Sequence, residues 1–172
     1  VNLLPTIFGG EANVNTVREN RHTGGICMSI VVDTFAVIDS PPKAVFDALT
    51  DVAHQSKWAR GSVKIQNLSQ NPVKLGSTWH QSTRLLGEKL EGDVRANIFE
   101  PNHRFGYRSE KPAKEQYIYT LAPDGDETKL TFTIDLEPDG LFNQDVPVIS
   151  NSLRETMSKD IDNLKARLES QR

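Results

Sequence analysis

The sequence predicts an α+β fold: a curved antiparallel seven-stranded sheet wrapped around a long C-terminal helix, with two short helices after the first strand. Three observations carry this. Short β-rich runs follow one another from Val63 to Leu136, too close together for crossover helices, so sequential neighbours pair antiparallel. From Val146 onward, apolar residues recur at steps of three and four, the stripe of a helix lying on a core. Between the first β-rich run and the rest, a Ser-Pro-Pro start opens a helical pattern.

Taken in order, residues 1–27 carry Gly9, Gly10, Gly24 and Gly25 and no sustained period, which reads as a flexible N-terminal extension, the alternative being a short added strand or helix packed on the domain. The patterned domain spans residues 28–172 and opens at Met28, a place that suits a translation start. Ile30 to Ile38, rich in Val, Ile, Thr and Phe, is the first strand. It stops at Asp39-Ser40-Pro41-Pro42, where Ser40 is the candidate N-cap. Val45, Phe46 and Leu49 then recur at helical spacing, and Asp51–Trp58 forms a second short helix before Gly61. Six strands follow at about Val63–Leu68, Ser77–Leu86, Leu90–Phe99, Arg104–Ser109, Glu115–Ala122 and Thr128–Leu136. Their turns are marked by Asn71-Pro72, Gly87-Glu88, Pro101-Asn102 and Asp124-Gly125-Asp126. In the closing helix, Asp145 precedes Val146-Pro147. Ile149, Leu153, Met157, Ile161, Leu164 and Leu168 form the stripe, while Arg154, Lys159, Asp160, Lys165 and Arg167 are read as lying off it.

Composition narrows the class. A chain of 172 residues that is 37% hydrophobic fits one domain with a core of its own. A net charge of -3, from 20 basic and 23 acidic residues well mixed, gives no field to gather nucleic acid or an anionic membrane. Mean hydropathy is -0.48, and no apolar run approaches the ~20 residues of a membrane span. Val1–Phe8 lacks the basic start of a signal peptide. The single cysteine, Cys27, permits no internal disulfide, which suits a cytoplasmic location.

Several local strings resemble the START-like/SRPBCC superfamily of polyketide cyclase/dehydrase type. They are Ile38-Asp39-Ser40-Pro41-Pro42-Lys43-Ala44-Val45-Phe46 with Leu49-Thr50-Asp51, then Trp58 before Gly61, and Gly76 before the third strand. Phe99-Glu100-Pro101 with Arg104-Phe105, Leu121-Ala122-Pro123 before Thr128, and Leu164-Lys165-Ala166-Arg167-Leu168-Glu169 complete the set. The resemblance spans roughly residues 29–169. It implies a helix-grip fold with an apolar cavity under the last helix. The family it points to includes lipid and sterol carriers, hormone receptors, aromatase/cyclases and chaperone activators, so fold alone does not choose a function.

Strand alternation assigns the concave face. It collects Val63 and Ile65, then Trp79, Gln81, Thr83 and Leu85, then Val94, Ala96 and Ile98. Phe105 and Tyr107, Tyr117, Tyr119 and Leu121, and Leu130, Phe132 and Ile134 continue it, with Leu153 and Met157 closing the space from the helix. The candidate ligand-binding set is Trp79, Gln81, Thr83, Tyr107, Tyr117, Tyr119, Phe132, Leu153 and Met157. Its polar groups are neutral at pH 7, the usual form of a small-molecule site. Each such residue is also what a plain core would use, and Trp58 reads as packing between the helix pair and the sheet.

The same alternation turns His80, Arg84, Glu91, Asp93, Arg95, Arg108, Lys129 and Asp135 outward, so Glu91 and Asp93 make a poor acid/base pair. His22, His54, His80 and His103 are dispersed without metal-ligand spacing, and no phosphate loop or nucleophile elbow occurs. No catalytic residue, metal or cofactor is expected. The leading reading is binding or transport of a small hydrophobic molecule by a monomer or weak homodimer. A cyclase or dehydratase using the same cavity would need a buried charge or coupled tyrosines inside it. A chaperone-activator-like module would need a filled cavity and an exposed apolar patch elsewhere.

Overall fold

The computed structural model describes residues 16–22, 25–59, 63–138 and 145–171. The elements are β1 (Thr16–His22), β2 (Gly25–Ile38), α1 (Pro42–Thr50), a 3-10 helix (Val52–Lys57), β3 (Lys64–Gln66), β4 (Thr78–Leu85), β5 (Glu88–Glu100), β6 (Arg104–Ser109), β7 (Lys114–Asp124), β8 (Glu127–Glu137) and α2 (Val146–Glu169). The strands form one sheet in the order β1-β2-β8-β7-β6-β5-β4-β3, every pair antiparallel. Strands β3 to β8 are a meander, and β2 joins beyond β8. The chain must therefore travel from β2 to the opposite edge before β3, and α1 with the 3-10 helix makes that crossing. The result is the curved sheet gripping one long helix that the sequence pattern implies.

Short turns follow from their residues. Leu86 and Gly87 both take positive φ, 52° and 86°, the form of two-residue hairpin turn that matches strand twist. Gly125, at φ 62°, opens the β7–β8 turn, where its freedom at the first central position is required. Helix starts differ from expectation. Pro41 occupies the N-cap position of α1 and no side chain caps that helix. The Ser40 carbonyl instead receives the Thr128 hydroxyl at 2.7 Å, tying the helix entry to β8. Asp145 likewise makes no capping bond to α2.

Two further differences have physical causes. β1 and the start of β2 lie within residues 1–27, which the sequence pattern reads as an extension. β1 pairs with β2 from Thr16↔Val31 to His22↔Gly25, making an eighth strand beyond the seven expected. An added edge strand is held by its backbone and needs no apolar alternation, so periodicity gives no sign of it. Residues 1–15 and 23–24 lie outside the described residues. The second difference is a bulge in β5: Ala96 pairs with Tyr107, but Ile98 pairs with Gly106. One extra residue reverses the alternation. Past the bulge Phe99, not Ile98, joins the core, meeting Phe46 of α1 edge-on at 5.3 Å. On the other side the bulge residue Asn97 exchanges two amide hydrogen bonds with Gln116, at 2.6 and 3.1 Å.

The core lies between the sheet and the helices. Ile149, Leu153, Met157, Ile161 and Leu164 of α2 are all buried, against such residues as Ile30, Val32 and Leu130. Burying each such side chain is worth about 1.5–3 kcal/mol. Polar ties fix where α2 lies. Thr34 of β2 and Ser158 share a hydroxyl bond at 3.0 Å, and Asn163 Nδ2 donates to the Trp58 carbonyl at 3.1 Å. Glu169 accepts the Asp39 N–H at 2.9 Å.

Candidate functional site

Between α2 and the middle of the sheet the packing leaves a cavity of about 60 Å³. It exists because β4, β6, β7 and β8 place side chains on the concave face while α2 crosses above them. Eight of the nine expected residues border it: Gln81 and Thr83 of β4, Tyr107 of β6, Tyr117 and Tyr119 of β7, Phe132 of β8, and Leu153 and Met157 of α2. Trp79 does not border it. It is buried behind Tyr107, its ring edge-on at 5.1 Å and 67°. Its Nε1–H donates to Gln81 Oε1 at 3.1 Å, so Trp79 orients the glutamine.

The aromatic wall follows from register. Tyr107 is directly opposite Tyr117, and Tyr119 opposite Phe132. Tyr107 and Tyr117 stack at 4.7 Å and 16°, Tyr119 and Phe132 at 4.3 Å and 14°. Rings that stack across neighbouring strands stand on edge, so their rims rather than their faces meet the cavity. The rim is the electropositive part of an aromatic ring, suited to the face of another ring.

A small polar network runs through this wall. Gln55 Nε2 donates to Tyr107 Oη at 3.2 Å, and the Tyr107 and Tyr119 hydroxyls share a hydrogen bond. The Tyr117 hydroxyl donates to Glu115 Oε2 at 2.9 Å. Burial pushes the Tyr107 phenol up to about 12, and Tyr117 and Tyr119 well above their ordinary value. All three phenols therefore stay protonated at neutral pH. Burial also raises the Glu115 carboxyl, with the Tyr117 bond acting against it.

A family model described as polyketide cyclase / dehydrase and lipid transport matches residues 29–169. The chain belongs to this family. No curated protein matches it significantly. Among solved structures it is similar to a START superfamily protein from Mycobacterium smegmatis, at 15% identity and a TM-score of 0.70, covering 83% of this chain and 99% of that one. The Zhui aromatase/cyclase from Streptomyces sp. R1128 gives 15% identity and a TM-score of 0.67, covering 82% and 94%. The ginseng major latex-like protein 151 from Panax ginseng gives 12% and 0.63, covering 81% and 97%. At such identities the likeness establishes the shared fold.

Three cavity residues of this family member escape the alternation argument as applied to the sequence. Glu115 precedes Tyr117 by two, so strand parity alone puts it on the concave face. Asp160, read as lying off the helix stripe, is 8% exposed and borders the cavity. It stands three residues after Met157 and seven after Leu153, which is the same helix face. Gln55 comes from the 3-10 helix, 52 residues before Tyr107, and no periodicity links the two. The lining is thus not free of charge, as the sequence reading expects, but acidic at two points. Arg84, a cation at the same space, is exposed and turns Nη1 to the Gly87 carbonyl at 3.3 Å.

Outside the cavity, His80 meets Asp93 at 2.9 Å and Glu91 at 3.1 Å, and Lys89 pairs with Glu91. Hydrogen bonds to Asp93 and Glu91 raise the His80 imidazole, while Lys89 and His80 lower Glu91. These groups are solvated, and none borders the main cavity. Among the described residues no helix is long and apolar enough to cross a membrane, and no group of three or more His, Cys, Asp or Glu is placed to hold a metal ion.

Proposed function

We propose that this chain binds a small hydrophobic molecule, of lipid-, polyketide- or aromatic-like character, in the cavity between the sheet and α2. The observation that carries the reading is the cavity wall itself. Apolar side chains and protonated phenols surround a space left open at the heart of the domain, with few polar groups to orient what enters. Two similar structures are those of an aromatase/cyclase and a START superfamily protein, which supports a ligand in this position. At 60 Å³ the space takes only water-sized occupants as it stands. A larger ligand must push its walls apart, and α2 is the wall made of separable side chains rather than paired strands. The same reading expects a cytoplasmic monomer or weak homodimer partnered by its ligand, not by nucleic acid.

A second reading draws on Glu115 and Tyr117. A raised carboxyl bonded to a phenol inside the cavity is the feature a cyclase or dehydratase would need for proton transfer. The interaction-module reading has no such support, since it requires a filled interior.

The test is titration with N-phenyl-1-naphthylamine, a neutral fluorescent aromatic amine. Saturable binding by the wild-type chain, lost in Thr156→Trp with its fold intact by circular dichroism, is the expected result. Thr156 borders the cavity, and indole at that point fills it. Undiminished binding by Thr156→Trp places the ligand elsewhere.

A further inference from the structure

Among the described residues that line the cavity, Gln55 holds the one fully buried side-chain polar atom without a hydrogen-bond partner. Its residue is only 4% exposed and borders the cavity. One end of the amide is used, Nε2 to Tyr107 Oη at 3.2 Å. The other end, Oε1, is buried without a hydrogen-bond partner. A buried carbonyl deprived of a donor is costly, and folded proteins pair nearly all of them. No hydrogen bond of the described wall reaches it. The Tyr117 proton goes to Glu115, the Trp79 Nε1–H goes to Gln81, and Tyr107 faces the other end of the amide. Glu115 and Asp160, the charged groups of the inner lining, offer carboxylates, which accept rather than donate when ionised.

We infer that Gln55 is the polar anchor of the ligand: its side-chain carbonyl receives a hydroxyl carried by a flat aromatic molecule lying against the upright tyrosine rims. This rests on the ligand-binding reading of the cavity and adds a selection rule to it. The site prefers an aromatic alcohol over an ether of the same shape, although the ether is the more hydrophobic of the two. The preference originates at Gln55, a residue of the helical crossing, while the sheet supplies the aromatic surface.

Competition against bound N-phenyl-1-naphthylamine on the full chain tests this with two matched compounds, 2-naphthol and 2-methoxynaphthalene. The wild-type chain should prefer 2-naphthol by about 2- to 12-fold, the net worth of one hydrogen bond. In Gln55→Leu the preference should vanish while 2-methoxynaphthalene competes undiminished. Equal competition by the two compounds in the wild type overturns the inference, and that comparison stands by itself if Gln55→Leu does not fold. Equality is also the outcome if the amide NH₂ is the open end. A preference that persists in folded Gln55→Leu overturns it too. If neither compound nor the dye binds at all, the ligand-binding reading itself has failed, a result distinct from binding without preference.

Discussion

Truncating Leu153 should weaken the fold less than truncating Ile161 and should create a better aromatic site. Both residues lie on the buried stripe of α2, at 7% and 2% exposure. Only Leu153 borders the cavity. Ile161→Ala removes three packed carbons, about 2.4 kcal/mol at ~0.8 kcal/mol for each buried methylene. A residual void of roughly 40 Å³ adds about 1 kcal/mol, so the total is near 3.5 kcal/mol. Leu153 already faces open space on one side and has fewer dispersion contacts to lose, so Leu153→Ala should cost nearer 2 kcal/mol. The truncation opens space on the order of 100 Å³ if the walls stay put. Joined to the 60 Å³ present, that reaches the ~150 Å³ known to hold a single aromatic ring. Urea denaturation with and without toluene reads both effects. At tenfold its dissociation constant, toluene should raise the stability of Leu153→Ala by about 1.4 kcal/mol, and that of Ile161→Ala hardly at all. Lys159→Ala, on the exposed face, should be nearly silent. Equal costs for the two truncations with no toluene effect would mean that Leu153 does not face open space.

The remaining expectations concern Glu115, the sheet edge and one glycine. Burial raises Glu115, so its protonated form favours folding below the ordinary glutamate range, and that contribution is lost as pH rises through the folded value. Glu115→Gln should accordingly gain stability relative to wild type between pH 4 and pH 7 in urea melts; a difference constant with pH would show that the carboxyl is not desolvated. A chain begun at Met28 loses β1, which among the described residues pairs with β2 alone at the sheet edge, and should still melt cooperatively within a few degrees of the full chain. Loss of cooperativity would make residues 1–27 part of the folding unit. Gly106→Ala should destabilise strongly, because a Cβ there would stand 2.8 Å from the Tyr117 carbonyl and 3.1 Å from Ile98 Cδ1. A neutral result in thermal melts would show that β6 and β7 can separate without cost.

The parts of this fold legible in the sequence are those whose signal is local and periodic. Alternation puts Gln81, Thr83, Tyr107, Tyr117, Tyr119 and Phe132 on one face, and they border the cavity together with helix residues that the three-four spacing picks out. Alternation fails at the β5 bulge, where a single extra residue exchanges Ile98 for Phe99, because nothing local at Asn97 announces the shift. Glu115 and Asp160 were legible in principle. Their parity and helix angle point inward, while charge by itself marks the solvated face. Ser40 has the chemistry of a cap, and a tertiary bond from Thr128 claims its carbonyl while Pro41 takes the cap position. Gln55 belongs to the part that pattern cannot reach. Its role depends on a bond to Tyr107 formed only when the crossing helix packs on the sheet.

Methionine methyl NMR can show whether a ligand sits between the tyrosine wall and α2. The chain has two methionines, Met28 and Met157, and Met157 borders the cavity. With both methyl groups ¹³C-labelled, adding N-phenyl-1-naphthylamine should shift the Met157 methyl resonance saturably, through the ring current of the bound dye. Nuclear Overhauser contacts from that methyl to the naphthyl protons should accompany the shift, while the Met28 signal stays in place. Saturating dye that leaves the Met157 methyl unmoved would put the binding site outside the cavity.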